Sequence, residues 1–164
     1  MKLEEHLEVL AGLLVATVNG GYPLGFLPPL THDRARHYWL SLRHDLQSNS
    51  RLLLAAYSGD RIIGSAQLAF SAWPNSRHRA ELQKLFVAPA LRGKGVGKSL
   101  MAAIHNAARQ HGRTLLLLNT RRGQPAEAFY RQVGYREIGV VPGYTMGPAG
   151  ERYDTVAFYN ELSS

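Results

Sequence analysis

The sequence predicts an α/β fold of the α+β kind: a central mixed sheet, with one bulged strand near residues 79–87, flanked by about four helices. Three observations carry this reading. Leucines at 3, 7, 10 and 14 recur at helical spacing and form one apolar face. Two strand-like segments, 52–57 and 61–70, meet at Ser58-Gly59-Asp60, which has the chemistry of a hairpin turn. From residue 79 to 118 a strand, a glycine-rich loop, a helix and an apolar run of strand length follow one another, which is a β-α-β unit. The 164 residues fit a single domain, expected to span 1–164, and a chain of this length builds a core without a disulfide or a metal.

The leucine face stops before Asn19-Gly20-Gly21, which ends the first helix. Residues 20–29 hold three glycines and three prolines around Tyr22 and Phe26, and read as a loop with exposed aromatics and a candidate substrate-facing role. Thr31 caps a second helix, with Asp33 in its first turn and Ala35, Tyr38, Trp39, Leu42 and Leu46 as its buried stripe. In the strand over 79–87, Ala80 and Leu82 lie at even positions and Leu85 and Val87 at odd ones. Side chains alternate along a strand, so the inward phase slips by one near Gln83 and Lys84, the signature of a β-bulge. The helix after the glycine loop buries Leu100, Met101, Ile104 and Ala108 and ends at Gly112. Residues 114–118 then read as a central strand covered on both faces. Pro125 opens a further helix through Phe129, Tyr130 and Val133 to Gly134, and strands near 135–141 and 153–159 complete the chain.

Lys and Arg number 19 against 12 Asp and Glu, a formal net charge of +7. That balance suits a polyanionic partner, whether nucleic acid, membrane surface or phosphorylated cofactor. The basic residues are scattered, paired only locally at Arg77/Arg79 and Arg121/Arg122, so no basic tail for nucleic acid is expected. No apolar stretch approaches the ~18 residues of a membrane-spanning helix. Glu4, Glu5 and Glu8 outnumber Lys2 around the apolar run 9–18, which is unlike a secretory leader, and Met1 onward reads as mature protein. Cysteine is absent, which removes thiolate nucleophiles, disulfides and Cys-ligated metals and points to the cytoplasm. His37 and His44 share a helix without the spacing of a metal site, and Gly-x-Ser-x-Gly is missing, so neither a metal centre nor a serine hydrolase is expected.

The sharpest local signal is Arg92-Gly93-Lys94-Gly95-Val96-Gly97 ahead of a helix. Glycines let backbone amides approach an anion, and the helix adds its positive N-terminal end, so a phosphate or pyrophosphate is the natural ligand. A nucleotide P-loop would need a glycine where Arg92 stands. The dinucleotide fingerprint fails as well, because its last glycine would fall on Lys98 or Leu100.

Two motifs carry a resemblance. Val87-Ala88-Pro89-Ala90-Leu91-Arg92-Gly93-Lys94-Gly95-Val96-Gly97 is similar to the acetyl-CoA-binding motif of the GCN5-related N-acetyltransferase (GNAT) superfamily. Ala126-Glu127-Ala128-Phe129-Tyr130-Arg131-Gln132-Val133-Gly134-Tyr135 resembles that family's second motif, in the right order and with an apolar strand between them. Within the family, Asn19-Gly20-Gly21, Arg79 to Leu85, Ala126 to Tyr130 and Pro142-Gly143-Tyr144 look most like the tabtoxin-resistance type. Such relatives begin with a strand, whereas this chain opens on a helix.

The resemblance implies the rest. It makes acetyl-CoA the co-substrate, with its pantetheine arm paired to the backbone of Leu85, Phe86 and Val87 as an added strand. Its pyrophosphate would lie on the amides of Gly93, Lys94, Gly95, Val96, Gly97 and Lys98, with charge from Arg92, Lys94, Lys98 and Arg131. The acceptor, a primary amine of a small molecule such as an amino-acid-like toxin or antibiotic, would attack the thioester directly in a ternary complex. Tyr130 is the candidate acid for the departing thiolate and Glu81 the candidate base for the ammonium, through water. Residues 20–29 and 141–151 are the candidate acceptor loops. A non-catalytic acyl-CoA-binding module, or acetylation of a protein N-terminus or lysine, stays open beside this reading. Neither nucleic acid nor membrane is an expected partner, and the chain is expected to be a monomer or homodimer.

Overall fold

The computed structural model describes residues 3–163, and these form a mixed α/β architecture. The helices are α1 (Leu7–Asn19), α2 (His32–Ser41), α3 (Arg43–Gln47), α4 (Val96–Gln110) and α5 (Ala126–Gln132). The strands are β1 (Arg51–Ser58), β2 (Arg61–Phe70), β3 (Arg79–Val87), β4 (Leu115–Arg121), β5 (Arg136–Met146) and β6 (Arg152–Glu161). They hydrogen-bond in the order β1-β2-β3-β4-β6-β5, with β3 and β4 parallel and the pairs β1/β2, β4/β6 and β5/β6 antiparallel. The expected mixed sheet with about four flanking helices is therefore present, the second of them divided into α2 and the short α3. No strand precedes α1 among those residues, and no helix is long and apolar enough to cross a membrane.

The chain divides into two compact units, Met1–Ala69 with Gln83–Ile104 and Phe70–Leu82 with His105–Ser164. In the first, Leu3, Leu7, Leu10 and Leu14 are all buried, as their spacing predicts. They join Val18, Leu30, Ala35, Trp39, Ile62 and Phe86 in one apolar cluster. Thr31 caps α2 as expected, its side chain accepting from the Arg34 amide at 3.3 Å. The second helix is not continuous to Leu46. It ends at Leu42, whose amide bonds back to Trp39 by a tighter turn, and α3 restarts at Arg43. Tyr22 and Phe26 are half-buried rather than exposed, because Tyr22 lies under the Arg92 guanidinium and Phe26 meets Tyr38 edge-on.

Strand β3 has the expected bounds, and Lys84 takes a left-handed φ of +49° at the place where the phase slip falls. The burial differs from the expectation: Phe86 is buried, while Leu85 and Val87 are half-buried. Phe86 turns into the cluster of α1 and α2, and the alternation of a strand then directs its two neighbours away from that cluster.

In the second unit, Leu116 and Leu118 of β4, Tyr130 of α5 and Val156 and Phe158 of β6 are buried. Gly134, at φ +93°, follows α5 where a helix-terminating residue was predicted. Strand β5 does not end near Val141. It continues to Met146 through a register shift between Val141 and Thr145, so the open loop is only 147–151. The Gly143 amide donates to Asp154 Oδ1 at 3.0 Å, which holds the irregular stretch against β6 where no sequence period could show it.

Candidate functional site

The end of β3 leads into the glycine segment through a short 3-10 turn, Pro89–Leu91. The Ala88 amide donates to the Ile63 carbonyl at 2.7 Å, which fixes the exit from the strand. Gly93 and Gly95 then adopt φ of +75° and +86°, a region open to glycine and strained for other residues. A Cβ built on either would meet nothing within 4 Å, so these backbone atoms face open space. The first turn of α4 closes when the Ser99 amide donates to the Gly95 carbonyl at 3.1 Å. The amides of residues 95–98 precede that bond and have no acceptor within the helix. Lys94 and Lys98 are exposed and Arg92 is half-buried. The residues that sequence spacing had grouped thus lie on one segment, a left-handed glycine turn that runs into the first turn of α4.

Around the same strand the structure adds contacts that the sequence did not show, and two residues, Arg51 and Gln67, that it did not single out. Lys84 Nζ donates to the Leu24 carbonyl at 2.6 Å and lies 5.2 Å and 5.5 Å from the ring centroids of Phe26 and Tyr38. Tyr38 donates to Gln67 Oε1 at 3.0 Å, and burial raises its phenol above the ordinary range. Arg51 Nη1 donates to Gln67 Oε1 at 3.0 Å and to Gln83 Oε1 at 2.7 Å. The phase slip had marked Gln83 and Lys84, the loop composition Phe26 and the helix stripe Tyr38, but no signal marked Arg51 or Gln67.

In the second unit, Glu81 sits on β3 opposite Leu117 of β4 and is half-buried. Its side chain has no ion pair or hydrogen bond among the described residues. Tyr130 is 8% exposed, packed against Phe129, Tyr135 and Phe158 at centroid distances of 5.5, 5.9 and 6.1 Å. That burial pushes its phenol up to about 12 and keeps it protonated at neutral pH. Arg131 is committed elsewhere than the sequence reading placed it, bonding Glu137 at 2.6 Å and Glu127 at 3.3 Å. Tyr144 is exposed.

Residues 48–137 match the family described as acetyltransferase (GNAT) domain, and the chain belongs to that family. Streptothricin acetyltransferase of Streptomyces lavendulae is 32% identical over 105 residues, which are 63% of this chain and 54% of that protein. An uncharacterized N-acetyltransferase from the hisH-hisA intergenic region of Azospirillum brasilense is 32% identical over 109 residues, 65% of this chain and 63% of that one. The chain thus spans between about half and two thirds of the length of these curated relatives. Among solved structures, ribosomal-protein-alanine N-acetyltransferase of Brucella melitensis superposes with a TM-score of 0.81 at 24% identity, covering 97% of this chain and 96% of that one. The Salmonella typhimurium protein yncA with its cofactor acetyl-CoA gives 0.79 at 15% identity, covering 98% and 91%. These likenesses establish the fold.

Proposed function

We propose that the protein is an acetyl-CoA-dependent N-acetyltransferase that acetylates the primary amine of a small molecule, an amino-acid-like toxin or antibiotic. The observation that carries the reading is the segment at the start of α4, where two left-handed glycines with open space at their Cβ directions lead into the first-turn amides of the helix, in a stretch that also carries Arg92, Lys94 and Lys98. These residues fit a pyrophosphate in charge and in donor type. Bound there, acetyl-CoA supplies the activated acetyl thioester. The amides of 93–98 and the three cations bind its phosphates, and the backbone of Leu85, Phe86 and Val87 pairs with its amide-bearing arm. Arg131 already carries two carboxylates and is left out of this assignment.

Glu81, with no cation holding it among the described residues, would accept the ammonium proton through water. Tyr130 donates toward the sulfur. Its phenol near 12 lies above the ~8.5 of an ordinary thiol, so full proton transfer is uphill by roughly 3.5 pH units. The hydroxyl therefore works best as a hydrogen-bond donor to charge as it develops. The acceptor class is supported by the likeness to streptothricin acetyltransferase and by the motifs that look like the tabtoxin-resistance type.

The test is titration with acetyl-CoA followed by a panel of amines, reading released CoA. Binding of acetyl-CoA with turnover of small amines is the expected result. Turnover confined to peptide N-termini or lysine peptides would replace the acceptor class, and binding with no turnover on any amine would favour a non-catalytic module.

A further inference from the structure

The guanidinium carbon of Arg92 lies 4.1 Å from the centroid of the Tyr22 ring, a stacking distance. Arg92 Nε donates to the Val87 carbonyl at 3.3 Å. A guanidinium is flat and its five N–H donors lie in its plane. The stack occupies a face and the Val87 bond occupies Nε–H, so the four hydrogens on the Nη atoms keep no partner among the described residues. An arginine held in this way presents an oriented fork to an anion, and forks of that kind suit phosphate oxygens.

Tyr22 is itself fixed from several sides. Its amide donates to the Thr17 carbonyl at 3.2 Å. The loop that carries it is closed at its base by the Asn19 side chain, which accepts from the Leu30 amide at 2.8 Å and donates to the Leu30 carbonyl at 3.1 Å. Midway, Lys84 holds the Leu24 carbonyl, and its ammonium rests against Phe26 and Tyr38, which meet edge-on at 5.1 Å. Leu24 and Lys84 both stand at φ +49°, so the backbone is left-handed on both sides of that contact. Such conformations persist only where the surroundings over-determine them. A simple connector between two helices requires none of this.

We infer that Tyr22 is a positioning residue: it fixes the Arg92 guanidinium for a phosphate group of the acyl donor, on a loop that Lys84 holds in place. The inference rests on the acetyl-CoA reading of the glycine segment. Its physical content is pre-organisation, because an arginine whose rotamers are already restricted loses less freedom when the anion arrives.

Calorimetric titration with coenzyme A and with pantetheine, which shares the arm but lacks every phosphate, isolates the effect. In Tyr22→Ala the Kd for coenzyme A should rise about ten-fold, the scale of a half-buried cation–π contact, while the Kd for pantetheine stays put. Tyr22→Phe keeps the ring and should restore parental affinity. Arg92→Ala should lose as much or more, and adding Tyr22→Ala to it should cost nothing further. Lys84→Met should move coenzyme A in the same direction as Tyr22→Ala. Equal losses for both ligands in Tyr22→Ala, or an unchanged Kd for coenzyme A, overturn the role of Tyr22 while leaving the acetyl-CoA reading intact. A parent chain that binds neither ligand overturns that reading and this inference together.

Discussion

A single hydroxyl separates Tyr130 from a purely apolar core residue, since its ring already packs on Phe129, Tyr135 and Phe158. Tyr130→Phe keeps that packing, so kcat should fall about 10²-fold or more while the affinity for acetyl-CoA changes little. Steady-state kinetics and titration on one folded preparation decide it; a kcat within a few-fold of the parent, with chemistry rate-limiting, would end the role of the hydroxyl and turn attention to Tyr144. Gly95 is the second residue-scale case. A Cβ there meets open space, yet φ is +86°, so Gly95→Val strains the backbone and fills the volume in front of the amides. The acetyl-CoA KM should rise at least ten-fold with kcat less affected, and an unchanged KM would remove the phosphate cradle. Both positions were legible because motif spacing marks them. The stack of Tyr22 on Arg92 was not, because its partners are distant in sequence and neither carries a local pattern that names the other.

At the scale of elements, the hairpin, the glycine segment and the buried face of α4 follow from periodicity and turn chemistry, and the structure keeps their bounds closely. The break at Leu42 and the extension of β5 to Met146 were illegible. The stripe of α2 runs on in phase across the break, and the irregular end of β5 is held by Asp154 from another strand. Gly64 in β2 is a further element-scale constraint. A Cβ on it would lie 2.8 Å from the Phe86 carbonyl oxygen and 3.2 Å from Leu100 Cδ1. The first contact is with backbone and cannot be relieved by a rotamer change, so Gly64→Ala should push β2 from the end of β3 and cost about 1–3 kcal/mol. Because Leu85, Phe86 and Val87 are the segment assigned to the cofactor's arm, the same substitution should weaken pantetheine binding. A variant with parental denaturation midpoint and parental pantetheine affinity would show that the strands have room to spare.

Over the whole molecule, the charge of +7 was readable at once, but its meaning was not, since nucleic acid, membrane and a phosphorylated cofactor all suit it. The pH dependence of stability comes instead from burial, which composition cannot reveal. Tyr130 titrates near 12 in the folded chain, and Tyr135 is raised as well, by burial first and by neighbouring Tyr130 second. An unfolded tyrosine titrates near 10. The folded state therefore holds its protons more tightly, so the stabilisation is complete below pH ~10 and is lost as pH rises from there through the folded values. For Tyr130 the two-unit difference corresponds to about 3 kcal/mol across that window. Unfolding free energies from denaturant titration should be flat with respect to this residue from pH 7 to 9. Between pH 10 and 12 the parent should fall more steeply than Tyr130→Phe by roughly 1.4 kcal/mol per unit. Parallel curves for the two proteins in that range would mean that the phenolate is reached by water in the folded state, and that the raised pKa on which the hydrogen-bond role of Tyr130 depends is not there.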